Sequence, residues 1–377
     1  MPKSRIAAAC RLAVVVGALA APPSLDAQPR GQFHVEQIAK FQVPWALEFL
    51  PDGRLLISEG VGALKLLDAD GTIGEITGVP EVSFGGQGGL GDIVLHPEYA
   101  SNGVIYVSYV EAGPNDTSGA VVARGRLDLK GPGGALVALE PIWRQVPKVS
   151  GQGHFSHRLA LRDGYLWISS GDRQQFDPAQ DMQSNLGKIL RLNMDGSVPR
   201  DNPFAAQGGV TAQIWTLGHR NPLGLAFDGQ GRLWSVEMGP MGGDELNLIR
   251  RGQNYGYPIV SNGDHYDGKP IPDHHTRPEF AAPAISWNPV ISPSSLMFYK
   301  GSEFPAWRGD GFITGLSSQA IVRIEFDGET AREAERIDMG RRIRALEEGP
   351  DGALWALEDG RPGRGGNGWL LKLTRPR

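Results

Sequence analysis

The fold of this chain is decided by a segment that reads Pro51-Asp52-Gly53-Arg54-Leu55-Leu56-Ile57-Ser58-Glu59-Gly60. Its Asp-Gly pair favours a tight turn, because glycine readily adopts the left-handed backbone that a two-residue hairpin needs. The apolar residues that follow, closed by a small and an acidic residue, are typical of a short buried strand. The segment therefore predicts a hairpin turn and the β-strand after it.

The same order of turn, apolar strand and small or acidic stop recurs along the chain. Its six copies are residues 51–60, 101–108, 163–172, 229–237, 309–315 and 350–359. A repeat of this kind is typical of β-propellers, in which each blade is a four-stranded sheet. The nearest helical pattern, at 331–336, is too short for a stable helix. The repeats therefore predict an all-β protein, a six-bladed β-propeller.

The first residues have the pattern of an export signal. A charged start with Lys3 and Arg5 is followed by an apolar stretch at 12–21 and then by small residues. The apolar stretch is shorter than the roughly 20 residues of a membrane span, so we expect no stable membrane insertion. We expect residues 1–27 to be a signal peptide, residues 28–377 to form a single propeller domain, and the protein to be periplasmic or secreted.

Composition narrows the possible functions. The chain has 377 residues, a formal charge of −5 at pH 7 and no basic stripe, so we expect no nucleic-acid partner. The only cysteine, Cys10, lies in the expected signal peptide. The mature chain would therefore have no disulfide, no cysteine nucleophile and no thiolate metal ligand.

Two familiar motifs do not fit their usual functions. Residues 86–91 match GxGxxG, but a strand-like run closed by Pro97 follows them, whereas a dinucleotide site needs a helix there. The acids Asp172, Asp177 and Asp181 lack the glycine and the spacing of an EF-hand. We therefore predict neither a dinucleotide site nor an EF-hand.

Two polar clusters beside the repeats have the residue types for acid–base and anion chemistry. His154, directly before a strand, is suited to accept a proton near neutral pH; a hydrogen-bonded structural histidine is the alternative. Arg220 with Asn221 is suited to stabilise an anionic oxygen, or else caps a loop.

Two further clusters have the residue types for binding ions. A stiff turn at Gly239-Pro240, followed by acids such as Glu245, can aim carbonyl oxygens at a hard cation such as Ca²⁺; a blade turn with solvated acids is the alternative. Alternation places Arg342 and Arg344 on one face of a strand, which suits a polyanion or a solvated edge strand.

In this order, the clusters resemble those of the soluble PQQ-dependent aldose dehydrogenases, the glucose/sorbosone dehydrogenase family. The resemblance covers most of the mature chain, and its most specific segments are 218–222, 239–245, 252–258 and 342–344. It implies a six-bladed propeller, as the repeats do. It also implies an enzyme that oxidises aldose sugars at the anomeric carbon to lactones, with PQQ and Ca²⁺ as cofactors.

The resemblance implies roles for individual residues. His154 matches the general base that takes the proton of the anomeric hydroxyl while the hydride passes to PQQ, and Arg220 matches the residue that stabilises charge on the quinone oxygen. The residues that match cofactor contacts are Gln87, Arg220, Asn221, Tyr266, Arg342 and Arg344. The residues that match calcium ligands are Gly239 and Pro240, through their carbonyl groups, together with Glu245 and Tyr255.

The chain departs from the family pattern at three positions. Ser317 stands in a loop where the family usually has a lysine that contacts PQQ, and Ala345 replaces an aspartate after the arginine pair. Gly153 stands beside His154, where the best-known glucose oxidisers carry an acid. Because PQQ is a planar tricarboxylate, burying it requires cations, and the missing lysine removes one of them.

Two other functions fit parts of the pattern. A calcium-dependent propeller lactonase would use acidic ligands at the channel and no quinone; Arg342 and Arg344 argue against it. A non-catalytic propeller that binds sugars or a protein partner would not need His154 opposite Arg220 and Asn221. The preferred function implies a small-molecule sugar and an electron acceptor as partners, for a monomer or a homodimer.

Overall fold

The computed structural model describes Met1, residues 32–361 and residues 366–376. The expected signal peptide, residues 1–27, lies outside the described residues apart from Met1. Among the helices of the described residues, none has the length and apolar character needed to span a bilayer.

The described chain folds into six four-stranded antiparallel blades, and its first strand, β1 (His34–Gln42), belongs to the last of them. Blade 1 consists of β2 (Pro44–Phe49), β3 (Leu55–Glu59), β4 (Ala63–Leu67) and β5 (Ile73–Thr77). Blade 2 consists of β6 (Leu90–Leu95), β7 (Val104–Ala112), β8 (Ser118–Lys130) and β9 (Gly133–Arg144). A short parallel pairing of β5 with β9 joins these two blades.

A two-stranded ribbon interrupts the fourth blade. Blade 3 consists of β10 (Ser156–Arg162), β11 (Tyr165–Ser170), β12 (Lys188–Asn193) and β13 (Ile214–Leu217). In chain order, the next strands are β14 (Pro222–Phe227), β15 (Leu233–Glu237), β16 (Met241–Gly242), β17 (Asp244–Ile249), β18 (Gly263–Asp264) and β19 (Ile285–Trp287). Blade 4 is formed by β14, β15, β17 and β19, while β16 pairs with β18 as the ribbon.

The last blade contains both ends of the propeller. Blade 5 consists of β20 (Pro293–Phe298), β21 (Gly311–Gly315), β22 (Ala320–Asp327) and β23 (Thr330–Asp338). Blade 6 consists of β24 (Ile343–Glu348), β25 (Leu354–Glu358), β26 (Asn367–Thr374) and the N-terminal β1. Residues 331–336, the nearest helical pattern of the sequence, lie within β23 and are extended. The described helices are α1 (Tyr99–Asn102) and the 3-10 turns Asp177–Ala179, Ala205–Gln207, Thr211–Gln213, His274–Thr276 and Pro305–Trp307.

The blades form a closed ring. The first strand of each blade lies beside the first strand of the next, and β24 returns to β2. Apolar side chains of facing blades pack in the gaps, as where Trp234 of blade 4 contacts Phe326 of blade 5 with ring centroids 4.8 Å apart. Each fully buried large apolar side chain contributes about 1.5–3 kcal/mol, so the interfaces between blades carry much of the stability.

Each of the six repeated segments forms the second strand of its blade, namely β3, β7, β11, β15, β21 and β25. The prediction of an all-β, six-bladed propeller is confirmed. The second strand of each blade begins at a hairpin turn. The C-terminal ends of these six strands therefore lie at the same face of the propeller. Four of the ends carry buried carboxylates, at Glu59, Asp172, Glu237 and Asp359. This face carries the candidate site.

Candidate active site

Two cavities lie side by side at this face. The first, of about 230 Å³, is the His154 cavity, whose lining includes His154, Gln174, Phe176, Arg220, Pro240 and Tyr266. The second, of about 260 Å³, is the arginine cavity, whose lining includes Trp45, Gln87, Leu316, Arg342, Arg344 and Arg361. The backbone N–H of His154 donates to Oε1 of Gln87 over 2.9 Å, so the walls of the two cavities are joined.

A larger cavity, of about 300 Å³, lies between blades 3 and 4, beside Trp167 and Trp215, and holds none of the predicted site residues. Its arginines all pair with acids, in the pairs Arg162–Asp163, Arg191–Asp201, Arg232–Asp228 and Arg250–Glu329. Since its arginines are compensated by acids and it holds none of the predicted site residues, we place the candidate site at the two cavities above.

His154 is a buried histidine with one ring nitrogen held by a carboxylate. Its Nδ1 lies 2.6 Å from Oδ1 of Asp172, so we assign the ring proton to Nδ1 and a free lone pair to Nε2. Burial lowers the pKa of His154 below the usual 6.5; the bond to Asp172 opposes this, and the positive charge of Arg220 adds to it. The imidazole is therefore neutral near pH 7, the state in which Nε2 can accept a proton.

The loops that carry His154 and Asp172 contain a run of left-handed backbone conformations. Positive φ angles occur at His154 (49°) and Ser156 (59°), and after Asp172 at Arg173 (56°) and Gln174 (60°). Each costs an L-residue about 1–2 kcal/mol. Such strain persists only where the surrounding contacts fix the chain, and it is concentrated at functional sites.

Arg173 supplies those contacts. Its Nε donates to the carbonyl oxygen of Gly153 over 2.9 Å, and its two terminal nitrogens donate to those of Ser118 and Gly151, both over 2.6 Å. The guanidinium also lies 3.7 Å from the ring centroid of Phe155. One buried side chain thus ties the His154 loop to the Asp172 loop.

The position beside His154 is filled by a neighbouring amide. Gly153 has no side chain, and a Cβ built there would lie only 2.5 Å from Oε1 of Gln174. The carboxamide of Gln174 therefore occupies this space and lines the His154 cavity. This chain therefore presents a neutral amide beside His154.

Arg220 lines the same cavity as His154. Its backbone N–H donates to Oε2 of Glu237 over 2.7 Å, and its Nη1 donates to the carbonyl oxygen of Gly239 over 2.6 Å. Its Nη2 lies 3.3 Å from the hydroxyl of Tyr266. The buried Nε has no hydrogen-bond partner among the described residues. A positively charged side chain, whose Nη2 is only weakly bonded, therefore lines the cavity.

Glu237, the acidic end of β15, positions the segment around Arg220. Its Oε1 accepts hydrogen bonds from Nδ1 of His219 over 2.9 Å and from the amide of Asn247 over 3.0 Å. Asn221 is fixed from the opposite side, because its Oδ1 accepts from the hydroxyl of Ser156 over 3.0 Å. Arg220 and Asn221 are thereby held rigidly, as a preorganised site requires.

Aromatic side chains form the rim of the His154 cavity. Tyr266, which follows the ribbon, is 72% exposed, and Phe176 is 43% exposed. Tyr257 lies beneath them, with its ring centroid 5.9 Å from the guanidinium carbon of Arg220. Exposed aromatic rings around a polar cavity are suited to contact the flat face of a ligand.

The arginine cavity contains a shared carboxylate. Arg342 Nε donates to Oδ2 of Asp359 over 2.8 Å, and Arg344 Nη2 donates to Oδ1 over 2.9 Å. Burial opposes ionisation of Asp359, but the two guanidinium groups outweigh it and lower its pKa to about 2. Arg361 lines the same cavity, and the buried Nε of Arg344 has no partner among the described residues. The cavity is therefore suited to a polyanion.

The predicted calcium ligands fall into two groups. Pro240 lines the His154 cavity, and Gly239, which precedes it, accepts from Nη1 of Arg220 through its carbonyl oxygen. A Cβ on Gly239 would come within 2.3 Å of two carbonyl oxygens, so only glycine fits. The turn is anchored by Asp244, which accepts from the backbone N–H of Gly239 over 2.8 Å. Burial raises the pKa of Asp244 to about 6, although three backbone N–H groups oppose this.

Glu245 and Tyr255 do not join that turn. The two oxygens of Glu245 lie 3.2 Å from Nε2 of His274 and 3.1 Å from the amide of Asn247. The hydroxyl of Tyr255 donates to the carbonyl oxygen of Leu248, and its ring stacks on His219. Neither side chain lines the two cavities. Among the described residues, no three His, Cys, Asp or Glu side chains form a metal-binding group.

The GxGxxG segment at 86–91, which is not predicted to bind a dinucleotide, contributes Gln87 to the candidate site. The segment leads into β6 and not into a helix, as expected. Gln87 lines the arginine cavity and accepts the backbone N–H of His154. The glycines allow close approach of the two loops, since a Cβ on Gly86 would lie 2.4 Å from the carbonyl oxygen of Gln152.

The structure thus gathers eight of the predicted site residues around the cavities, namely Gln87, His154, Arg220, Asn221, Pro240, Tyr266, Arg342 and Arg344. The sequence reasoning missed the partners of those residues, namely Asp172, Arg173, Gln174, Glu237, Asp359 and Arg361. Three of them, Asp172, Glu237 and Asp359, could have been found from the sequence, because each is the acidic residue that ends a repeated segment.

The chain matches the family model described as glucose/sorbosone dehydrogenase over residues 41–372. Among curated proteins, it is 38% identical to the aldose sugar dehydrogenase of Escherichia coli over 347 residues, which cover 89% of this chain and 91% of the relative.

Solved structures are similar over the same span. The apo-form of the soluble aldose sugar dehydrogenase from Escherichia coli superposes with a TM-score of 0.85 at 36% identity, covering 91% of this chain and all of that one. The PQQ-bound form of aldose sugar dehydrogenase from Streptomyces coelicolor superposes with a TM-score of 0.75 at 29% identity, covering 92% of this chain and 99% of that one.

Proposed function

Since this chain belongs to the glucose/sorbosone dehydrogenase family and is a PQQ-dependent sugar dehydrogenase, we propose that it oxidises aldoses at the anomeric carbon to lactones. In this proposal His154 is the general base and Arg220 stabilises the negative charge that develops during the reaction. The observation that carries the proposal is the pairing of His154 with buried Asp172 in a cavity that Arg220 also lines.

His154 is the group that takes the proton of the anomeric hydroxyl. Burial keeps its pKa below 6.5, so Nε2 is free to accept near pH 7. Asp172 holds the Nδ1–H, which fixes the ring and favours the imidazolium that forms when the proton arrives. General-base catalysis of this kind contributes about 10²–10⁴-fold to a rate.

Arg220 supplies positive charge in the cavity that His154 also lines. Its backbone and its Nη1 are already bonded, to Glu237 and to the carbonyl oxygen of Gly239, so the guanidinium is held in place before a ligand arrives. Nη2, whose bond to the Tyr266 hydroxyl is long at 3.3 Å, remains to donate to an anionic oxygen. Preorganised donors of this kind are typically worth about 10²–10³-fold in rate.

The arginine cavity is suited to hold PQQ. Arg342 and Arg344 would bind its carboxylates, and Gln87, Asn221 and Tyr266 would contact the rest of the cofactor. When bound, PQQ supplies the two-electron acceptor for the hydride of the sugar. Among the described residues that line the cavity, the surplus of guanidinium groups over carboxylates supports a ligand of this charge.

Calcium is part of the proposal. The carbonyl oxygens of Gly239 and Pro240 are the hard, neutral ligands that Ca²⁺ accepts in proteins. Neutral ligands alone do not balance a divalent cation, so the anionic cofactor would have to complete the site. Glu245 and Tyr255, whose side chains line neither cavity, could serve only a separate cation.

Export is also proposed, on the pattern of residues 1–27. An enzyme outside the cytoplasm would pass its electrons to an acceptor other than the cytoplasmic nicotinamide pool, as a quinone cofactor allows. A monomer or a homodimer is compatible with this function, because both cavities are built from one chain.

The function is tested by reconstitution of the purified apoprotein with PQQ and Ca²⁺, followed by dye reduction with glucose and a panel of other aldoses. We expect reduction that requires both sugar and PQQ. Binding of PQQ without oxidation of any aldose would contradict the sugar assignment. Full activity of EDTA-treated apoprotein with PQQ alone would contradict only the calcium part.

A further inference from the structure

The arginine cavity holds more positive charge than its carboxylate neutralises. Arg342 and Arg344 share Asp359, at 2.8 and 2.9 Å. Arg361 lines the same cavity, and no carboxylate among the described residues lies within 4 Å of its guanidinium. Three guanidinium groups and one carboxylate leave a net charge of +2 at the cavity wall. Clustered guanidinium groups with uncompensated charge favour the binding of an anion such as a carboxylate.

Arg361 is held where it can face a ligand. Its terminal nitrogens donate to the carbonyl oxygens of Gly86 and Gln87. These bonds tie the end of blade 6 to the loop that carries Gln87, a predicted cofactor contact. A guanidinium has five N–H donors, so those that the carbonyls do not use remain available for a ligand. Burial and the nearby charge of Arg344 lower the pKa of Arg361 to about 9, and the side chain stays charged at neutral pH.

The lysine that the family usually has would enter this cavity from another side. Ser317 is exposed at the rim, and its hydroxyl lies 2.7 Å from that of Ser292. Ser292 and Leu316 both line the arginine cavity. A lysine at position 317 would therefore reach into the cavity from blade 5, whereas Arg361 enters from blade 6.

We propose that Arg361 is a cofactor-binding residue that supplies, from the last blade, the positive charge missing at Ser317. The inference rests on the proposed function, since it identifies the ligand as the PQQ tricarboxylate. Arginine suits this role because its planar fork matches a carboxylate with two parallel hydrogen bonds, which a lysine cannot provide.

The test is an equilibrium titration of the apoprotein with PQQ in the presence of Ca²⁺, followed by tryptophan fluorescence, because Trp45 lines the cavity. Arg361→Gln is expected to weaken PQQ binding by about 10- to 100-fold, the usual effect of losing a hydrogen bond between two charged groups. Arg361→Lys, which keeps the charge, is expected to weaken it less. Arg341→Gln is the matched control, because Arg341 pairs with Glu358 and does not line the cavity.

A rescue variant separates loss of charge from loss of structure. Adding Ser317→Lys to Arg361→Gln is expected to restore binding to within a fewfold of the wild type. Wild-type affinity in Arg361→Gln would overturn the inference, and failure of Ser317→Lys to restore binding would overturn the equivalence of the two positions. Absence of PQQ binding by the wild type would instead contradict the proposed function, and the inference with it.

Discussion

The ring of His154 and the carboxylate of Asp172 are joined by a 2.6 Å hydrogen bond that is fully enclosed by protein. The second oxygen of Asp172, Oδ2, is buried with no hydrogen-bond partner among the described residues. A buried carboxylate oxygen without a hydrogen-bond partner is unfavourable by itself. The placement of such a carboxylate beside an imidazole therefore points to a positioning role for Asp172. Asp172 determines both the tautomer of His154 and how readily the ring accepts a proton.

Replacing Asp172 by asparagine is expected to lower kcat by about 10²–10⁴-fold, the usual contribution of general-base catalysis. The carboxylate raises the pKa of His154, so its loss should also move the acid limb of the kcat/KM profile to lower pH. Steady-state kinetics between pH 4 and 8 measure both effects. Asp177→Asn, an exposed acid of the same loop, is the control. Wild-type kcat with an unmoved acid limb in Asp172→Asn would rule out the positioning role.

A second histidine links stability to pH. His157 is buried, lies 2.8 Å from the hydroxyl of Ser108 and stacks on Trp45. Burial, and then the charge of Arg158, lower its pKa to about 3. The unfolded chain therefore binds a proton that the folded chain does not, and the free energy of unfolding should fall as the pH drops below about 6.5.

The prediction is tested by urea unfolding of His157→Gln between pH 6 and 4. Uptake of one proton on unfolding changes the free energy of unfolding by about 1.4 kcal/mol per pH unit. The pH dependence of the free energy of unfolding should therefore be smaller by about this slope in His157→Gln than in wild type. The control is His275→Gln, because that side chain is 78% exposed. The same slope in wild type and His157→Gln would show that His157 is not the group responsible.

The side-chain amide of Gln174, which fills the space beside Gly153, should influence sugar binding. In Gly153→Ala, the new Cβ would meet Oε1 of Gln174 at 2.5 Å and displace that side chain from the cavity wall. We expect KM for the sugar to rise about 3- to 10-fold, the effect of one lost hydrogen bond, with PQQ binding unchanged. Gln174→Ala should have the same effect, and the double variant should not exceed either, because both changes remove one contact.

Kinetics with saturating PQQ test this prediction. Gly229→Ala is the matched control, since a Cβ at that position would have no atom within 4 Å. Additive effects of the two substitutions, or an unchanged KM in both, would show that Gln174 does not contact the sugar.

Arg344 should contribute more to the affinity for PQQ than to the rate of turnover. Arg344→Ala removes a buried guanidinium that faces the arginine cavity, so PQQ binding should weaken by about 10-fold or more. Turnover at saturating PQQ should change much less. Arg336→Ala, an exposed arginine paired with Glu333, is the control. An unchanged cofactor titration in Arg344→Ala would count against this assignment.

The repeat made the fold predictable from the sequence. Turn chemistry at Asp52-Gly53 and at Asp351-Gly352 is local, and so is the alternation of the strands that follow, so each second strand could be identified from a few residues. Residues 331–336, whose helical pattern is too short for a stable helix, are extended and pair with β22, as the prediction of an all-β fold requires.

The site was predictable only in part. His154 and Arg220 stand in recognisable segments, but the residues that position them come from the ends of other strands. Asp172 stood in a set of acids whose spacing fitted no EF-hand, and its role became visible only when β11 placed it beside His154. Arg361 gave no sequence signal, because closure of the ring brings it to Gln87. Tyr255 matched a family position, yet its side chain is buried between blades 3 and 4 and lines neither cavity.

The most direct test of the central claim compares wild type with His154→Ala, each reconstituted with PQQ and Ca²⁺, by measuring PQQ affinity and sugar-dependent dye reduction on the same samples. We expect PQQ to bind His154→Ala with an affinity close to that of wild type, while turnover falls by about 10²–10⁴-fold because the general base is gone. Near-normal turnover in His154→Ala with PQQ bound would contradict the assignment of His154 as the base.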